Sequence, residues 1–293
     1  MKLKLTFWGV RGSKPTPGRD TLLFGGNTSC VQIEVGSRNL VFDAGTGIAE
    51  LGNKMIKEKG KKEVDVFFSH LHWDHIQGLP FFVPLYCPGN QFRLYGEDKE
   101  KIKFQEVIEK QMNSPYFPVP MKMMKADYKF INVKPNQTIV LEEGIIVKTF
   151  EVNHPNGCLS YRVEKGNSAI VYSTDTEPME GEKKKDFLKF IRGTDILIYD
   201  THFTDSEYYG TNDDDSKAGW GHSTWEEGTR ISKEADIGYL VLFHHKENRS
   251  DKEQQKIEES AQNEFTNTIA AREGMVITIG GELFEKVVIR NPY

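Results

Sequence analysis

The hexapeptide HLHWDH, residues 70–75, places three histidines and an aspartate directly after the apolar run VDVFF. VDVFFSH reads as a buried strand, so the cluster sits where a strand leaves the core. In an extended segment the period of two puts His70 and His72 on one side, and a turn then presents Asp74 and His75 to a second position nearby. Imidazoles and a carboxylate are ligands suited to Zn²⁺ and related divalent ions. The fold must therefore bring further groups to a polar cavity at the end of a core strand.

The rest of the chain supplies a matching rhythm. KLTFWGV, CVQIEV and NLVFDAG read as strands separated by Gly-rich turns, and GIAELGNKMIKEKG has helical spacing with a Gly stop. A second series follows: IIVKTFEVNH, CLSYRVEKG and SAIVYSTD as strands, KKKDFLKFIRG as a helix, DILIYD as a strand. TWEEGTRISKEA (helix), IGYLVLFHH (strand) and the long charged helix DKEQQKIEESAQNEFTNTIAAREG complete it. Two strand-rich halves, each backed by helices, predict an α/β (α+β) chain of two face-to-face sheets with helices outside, an αββα sandwich. No linker rich in Pro, Ser or Gly separates the halves, so residues 1–293 are expected to form one domain. Residues 86–130 break the rhythm with prolines and aromatics and are expected to form a lid-like insertion.

Composition narrows the function classes. A chain of 293 residues with 38% hydrophobic content can bury a substantial core. Its net charge of −5 argues against wrapping long nucleic acid in a basic surface and leaves small anionic substrates open. Cys30, Cys87 and Cys158 are odd in number and widely spaced, which suits reduced thiols. The charged start has no apolar signal core, and no stretch approaches the about 18 apolar residues of a membrane span, so a cytoplasmic protein without a membrane partner is expected.

HLHWDH at a strand end resembles the HxHxDH signature of the metallo-β-lactamase superfamily, whose fold is an αββα sandwich. Later members of the signature follow in order: His154 in VNHP, Asp175 in YSTDTEP and His244 in YLVLFHH. Carried over by position, the resemblance implies two divalent ions per chain. One would be held by His70, His72 and His154, the other by Asp74, His75 and His244, with Asp175 bridging them. Strand register favours His244 over its neighbour His245, which is expected behind the ligands or facing substrate. Zn²⁺ and Mn²⁺ both suit such N/O ligands, and iron remains a third candidate.

GWGHSTWEE places His222 in a GHST motif that resembles the histidine motif of the phosphodiesterase branch, which includes transfer-RNA 3′-processing nucleases and cyclic-phosphate diesterases. FWGVRGSKPTPG, FGGNTSC and LVLFHHKENRSD add similarity to bacterial cyclic-nucleotide phosphodiesterases. Two ions sharing a carboxylate can hold a bridging water and lower its pKa, giving hydroxide for in-line attack on phosphorus. Asp74 would ligate metal and accept a hydrogen bond from that hydroxide. His222 would serve the leaving oxygen, oriented by Glu226 or Asp200, although Asp200 could equally hold the tautomer of a ligand histidine.

Substrate-facing candidates are less constrained. Arg11 and Lys14 in a Gly/Pro loop could meet phosphate or be solvated, and Asn27 lies in a turn leading to the site. Tyr116 and Phe117 could stack on a base or pack within their loop. The leading expectation is hydrolysis of a small nucleotide phosphodiester, foremost a 3′,5′-cyclic mononucleotide. The alternatives are a transfer-RNA 3′-end nuclease and a carbon-centre hydrolase such as a lactonase or thioesterase. A purely structural metal role fits poorly, because structural zinc sites are closed and usually Cys-rich. Similar proteins often form homodimers, which makes a homodimer a candidate assembly by analogy alone.

Overall fold

The computed structural model describes residues 2–210, 215–280 and 287–291. The first sheet contains β1 (Leu3–Gly9), β2 (Cys30–Val35), β3 (Arg38–Phe42), β4 (Glu63–Phe67), β5 (Gln91–Gly96) and β6 (Asp127–Asn132). The second contains β7 (Thr138–Leu141), β8 (Ile145–Val152), β9 (Cys158–Lys165), β10 (Ser168–Ser173), β11 (Ile196–Asp200), β12 (Tyr239–Phe243) and β13 (Thr268–Ala270). β14 (Val276–Ile279) and β15 (Val287–Arg290) return to the first sheet, giving orders β15-β14-β1-β2-β3-β4-β5-β6 and β13-β12-β11-β10-β9-β8-β7. This is the expected αββα arrangement, two mixed sheets with helices outside.

Alternation along the strands builds its layers. On β4, Val64 and Val66 turn outward to the helix α1 (Gly47–Lys57) and to α3 (Phe104–Gln111), while Phe67 turns inward. There Phe67 stacks on Phe42, and Phe42 meets Tyr161 and Tyr172 of the opposite sheet at 5.7 and 5.5 Å between ring centres. The outer face of the second sheet is covered by α4 (Gly181–Ile191), α6 (Trp225–Glu234) and α7 (Asp251–Glu264), through Phe187, Ile231 and Ile257. Burying each large apolar side chain contributes about 1.5–3 kcal/mol.

Strand direction positions the site. β3 through β6 run parallel, as do β10 through β13, so the chain leaves neighbouring strands on the same edge. Asp43 and His70 follow β3 and β4; Asp175, Asp200 and His244 close or follow β10, β11 and β12. Two short helices stand beside this edge, α2 (Trp73–Ile76) and α5 (Asp205–Tyr209).

Two expectations are corrected. Residues 86–130 are largely framework, because β5 and β6 form the end of the first sheet and only the segment between them leaves it. The prolines and adjacent aromatics of 115–120 obscured the strands QFRLYG and DYKFIN on either side. The long C-terminal helix stops at Glu264: Phe265 turns to φ −139° and ψ 101°, and Thr268–Ala270, which includes the β-branched Thr268 and Ile269, then pairs with β12. Of the charge runs, GEKKKD opens α4, whereas the first two residues of DDDSK (213–217) lie outside the described residues.

Candidate active site

The strand exits bend sharply. Asp43, Asp175 and His244 adopt left-handed φ of 61°, 47° and 59°, a region that is costly for residues other than glycine and that turns each side chain into the edge cavity. His70, His72 and His154 bring one ligand atom each to within 4.8 Å of one another, and Asp74, His75, Asp175 and His244 form a second such group. Asp175 faces both. Its Oδ1 lies 3.1 Å from His75 Nε2 and 3.3 Å from His244 Nε2, while Oδ2 lies 3.8 and 4.0 Å from the Nε2 atoms of His70 and His154. Asp74 Oδ2 completes the second group at 3.2 Å from both His75 Nε2 and His244 Nε2.

In His70, His75 and His154 the ring nitrogen away from the centre is held. His75 Nδ1 donates to Asp43 Oδ2 at 2.7 Å, and His154 Nδ1 donates to the Gly221 carbonyl at 2.8 Å. Ser69 Oγ donates to Asp43 Oδ2, which leaves its lone pairs to accept from His70 Nδ1 at 3.1 Å. Each arrangement puts the proton on Nδ1 and the lone pair on Nε2, the tautomer a metal requires. Buried Nε2 atoms of His70 and His75 have no hydrogen-bond partner, and His154 Nε2 faces His72 Nδ1 across 3.1 Å. Lone pairs that converge without a shared proton, beside two carboxylates, fit a pair of divalent cations. Burial raises the pKa of Asp175, but His244, His75 and His70 around it hold the carboxyl well below its usual range.

Asp43 was not singled out from sequence. Besides His75 it accepts from the Ser69 backbone N–H at 2.7 Å and from the Tyr172 hydroxyl at 2.7 Å, so one buried carboxylate orients the floor of the site. Its only sequence signal is an acid at the end of the strand NLVF. Gly221 was also missed: at φ 90° it brings its carbonyl to His154, and a Cβ there would stand 2.2 Å from His154 Nδ1.

His222 lies beside the metal groups. Its Nδ1 donates to Asp200 Oδ2 at 2.9 Å, and its ring stacks on those of His202 and His244, with centres 4.4 and 5.0 Å away. Burial lowers its pKa, but the charge and hydrogen bond of Asp200, with Asp175 and Asp74 behind, raise it to about 9. Asp200 is therefore the partner of His222; Glu226 instead accepts from the Asp205 backbone N–H at 3.0 Å. The mouth of the site is lined by Ser13, Leu71, His72, Trp73, Asp74, Asp175 and His222, with Trp73 standing 79% exposed.

Four substrate-facing expectations change. Arg11 is fully buried, and its guanidinium donates to the carbonyls of Gly25, Lys246 and Arg249, so it ties loops together and cannot reach a phosphate. Asn27 is held by Glu273, and its carbonyl accepts from Val10 and Arg11 N–H. His245 points away from the cavity and donates from Nε2 to the Ala271 carbonyl at 2.8 Å. The left-handed turn at His244, rather than strand register, separates the two histidines. Tyr116 and Phe117 line neither the mouth nor the cavity beside it; Tyr116 is 79% exposed and Phe117 packs edge-on against Phe81.

Residues 38–245 match the family model described as Beta-lactamase superfamily domain. Ribonuclease Z of Pyrococcus horikoshii is 25% identical over 299 residues, covering 86% of this chain and 89% of that protein. Among solved structures, the metallo-beta-lactamase fold protein YhfI from Bacillus subtilis superposes with a TM-score of 0.69 at 21% identity, over 94% of this chain and 99% of that one. Human tRNase Z, short form, superposes with a TM-score of 0.66 at 20% identity, over 94% and 98%.

Proposed function

The chain belongs to the Beta-lactamase superfamily and is a metal-dependent hydrolase of phosphodiester bonds, and we propose that its substrate is the 3′ end of a structured RNA, as in transfer-RNA processing. The observation that carries the reading is the pair of ligand groups joined by the two oxygens of Asp175, with His222 on Asp200 at their side. Relatives named Ribonuclease Z that align over most of their length support the RNA substrate over the cyclic mononucleotide that led from sequence. A small nucleotide diester is retained as the second reading, favoured by the net charge of −5.

In this proposal His70, His72 and His154 hold one divalent ion and Asp74, His75 and His244 the other, with Asp175 shared; Zn²⁺ or Mn²⁺ suits these donors, and iron is the third candidate. When bound, two such ions supply Lewis acidity that lowers the pKa of water and neutralises charge developing on the phosphoryl oxygens. Asp43, Ser69 and the Gly221 carbonyl keep the imidazoles of His75, His70 and His154 in the required tautomer. His222 carries a transferable proton on Nε2 for the departing alkoxide, and Asp200 stabilises the imidazolium through Nδ1.

The test is a panel for the metal-reconstituted protein: a precursor transfer RNA, 3′,5′- and 2′,3′-cyclic mononucleotides, cyclic dinucleotides, bis-(p-nitrophenyl) phosphate and a lactone. Cleavage of the precursor at its 3′ side is expected. Turnover of a cyclic nucleotide with an intact precursor would establish the second reading, and turnover of the lactone alone would remove both. Sedimentation of the same preparation tests the homodimer.

A further inference from the structure

A cavity of about 250 Å³ opens beside the first ligand group and shares His70 and His72 with it. Its walls are apolar: Phe68 and Leu71 from the histidine loop, Phe104 and Val107 from α3, and Ile102 ahead of that helix. Gly96 makes room for the back wall, because a Cβ there would lie 2.4 Å from the Phe104 ring. The ionic groups at the rim, Lys99 and Glu97, bond to each other, so the cavity offers no unbalanced charge for a second phosphate. Such a space suits a flat, uncharged group with a few polar edges.

Leu71 and His72 line both this cavity and the mouth of the metal site, so the two are joined across one ridge. His222 lines the mouth but not the cavity. A diester centred on the metals would therefore place its leaving oxygen toward His222 and its other substituent toward the cavity. We infer that this cavity is a nucleobase subsite for the nucleoside that keeps the phosphate after cleavage. The assignment rests on the phosphodiesterase reading above and adds what the enzyme holds on the side away from the leaving group. It also moves base recognition from Tyr116 and Phe117, expected from sequence, to Leu71, Ile102, Phe104 and Val107.

The test compares ligands that differ only in the retained substituent. The metal-loaded protein should bind thymidine 5′-monophosphate about 10-fold or more tightly than methyl phosphate, since stacking and burial of a base contribute at that level. It should hydrolyse thymidine 5′-(p-nitrophenyl phosphate) with a correspondingly lower KM than methyl p-nitrophenyl phosphate, which has the same leaving group. Val107→Trp, which fills the cavity, should abolish both differences in a folded protein that still binds metal. Ile102→Ala, at a residue 51% exposed and therefore safe for folding, should reduce them. Equal affinity of the wild type for the two phosphates, or an unchanged preference in folded Val107→Trp, overturns the subsite. Hydrolysis of neither ester alongside preferential nucleotide binding would instead overturn the catalytic reading and leave the subsite standing.

Discussion

At the scale of single residues, the site depends on groups that touch no substrate as much as on those that do. Asp43 accepts four hydrogen bonds and fixes the ring of His75 directly and that of His70 through Ser69. Asp43→Asn removes the negative charge and sets an NH₂ group against at least one of these donors, so metal affinity should fall about 10- to 100-fold, read by titration of the stripped protein. Affinity within a factor of two of wild type would show that the rings are held by packing alone. His222 is separable from the metal groups, because its bonded partner is Asp200. His222→Ala should keep the metal content and lose about 10² to 10⁴ in kcat on a diester with a poor leaving group. The loss should shrink for a p-nitrophenolate ester, whose leaving group needs no proton; equal losses on both would argue against proton transfer.

Elements act here by where they stop. Parallel neighbours deliver their following residues to one edge, so β10, β11 and β12 set Asp175, Asp200 and His244 side by side although the sequence separates them widely. Within the sandwich, β3, β4 and β5 are also joined by charge. Asp65, fully buried on β4, takes Arg38 Nη2 at 2.5 Å, the Arg93 Nε and the Tyr95 hydroxyl. Arg38 is itself 4% exposed and keeps Glu63 and Glu142 on Nη1, so removing Asp65 leaves its buried Nη2 without an acceptor. Asp65→Ala leaves these buried donors without an acceptor and should cost about 1–3 kcal/mol in denaturant unfolding. Arg38→Met/Asp65→Leu, which removes both charges, should cost markedly less; if both variants lose the same stability, packing rather than ionic pairing holds these strands.

For the molecule as a whole, seven candidate ligand side chains from both sheets and their connections meet in one cavity, so metal binding there would be coupled to folding. Each independently bound ion at 100 times its dissociation constant should add about 2.7 kcal/mol. Chelation should therefore lower the melting temperature by several degrees and abolish hydrolysis, with both restored by two ions per chain. Saturation at one ion in elemental analysis would refute the dinuclear site. The sequence by itself determined the sandwich class and the order of the candidate ligands, because strand alternation, helical spacing and the HxHxDH pattern are local signals. His70, His72, Asp74 and His75 could be read together since six consecutive residues carry them. Only the tertiary structure decided that Asp43 and Gly221 orient the ligands, that Asp200 serves His222, and that Arg11 and His245 face inward. It likewise placed the cavity between the histidine loop and α3. These relations span up to hundreds of residues or hinge on a left-handed turn at one position, and no short-range periodicity encodes either; they follow from which strand ends the sheets bring to a common edge.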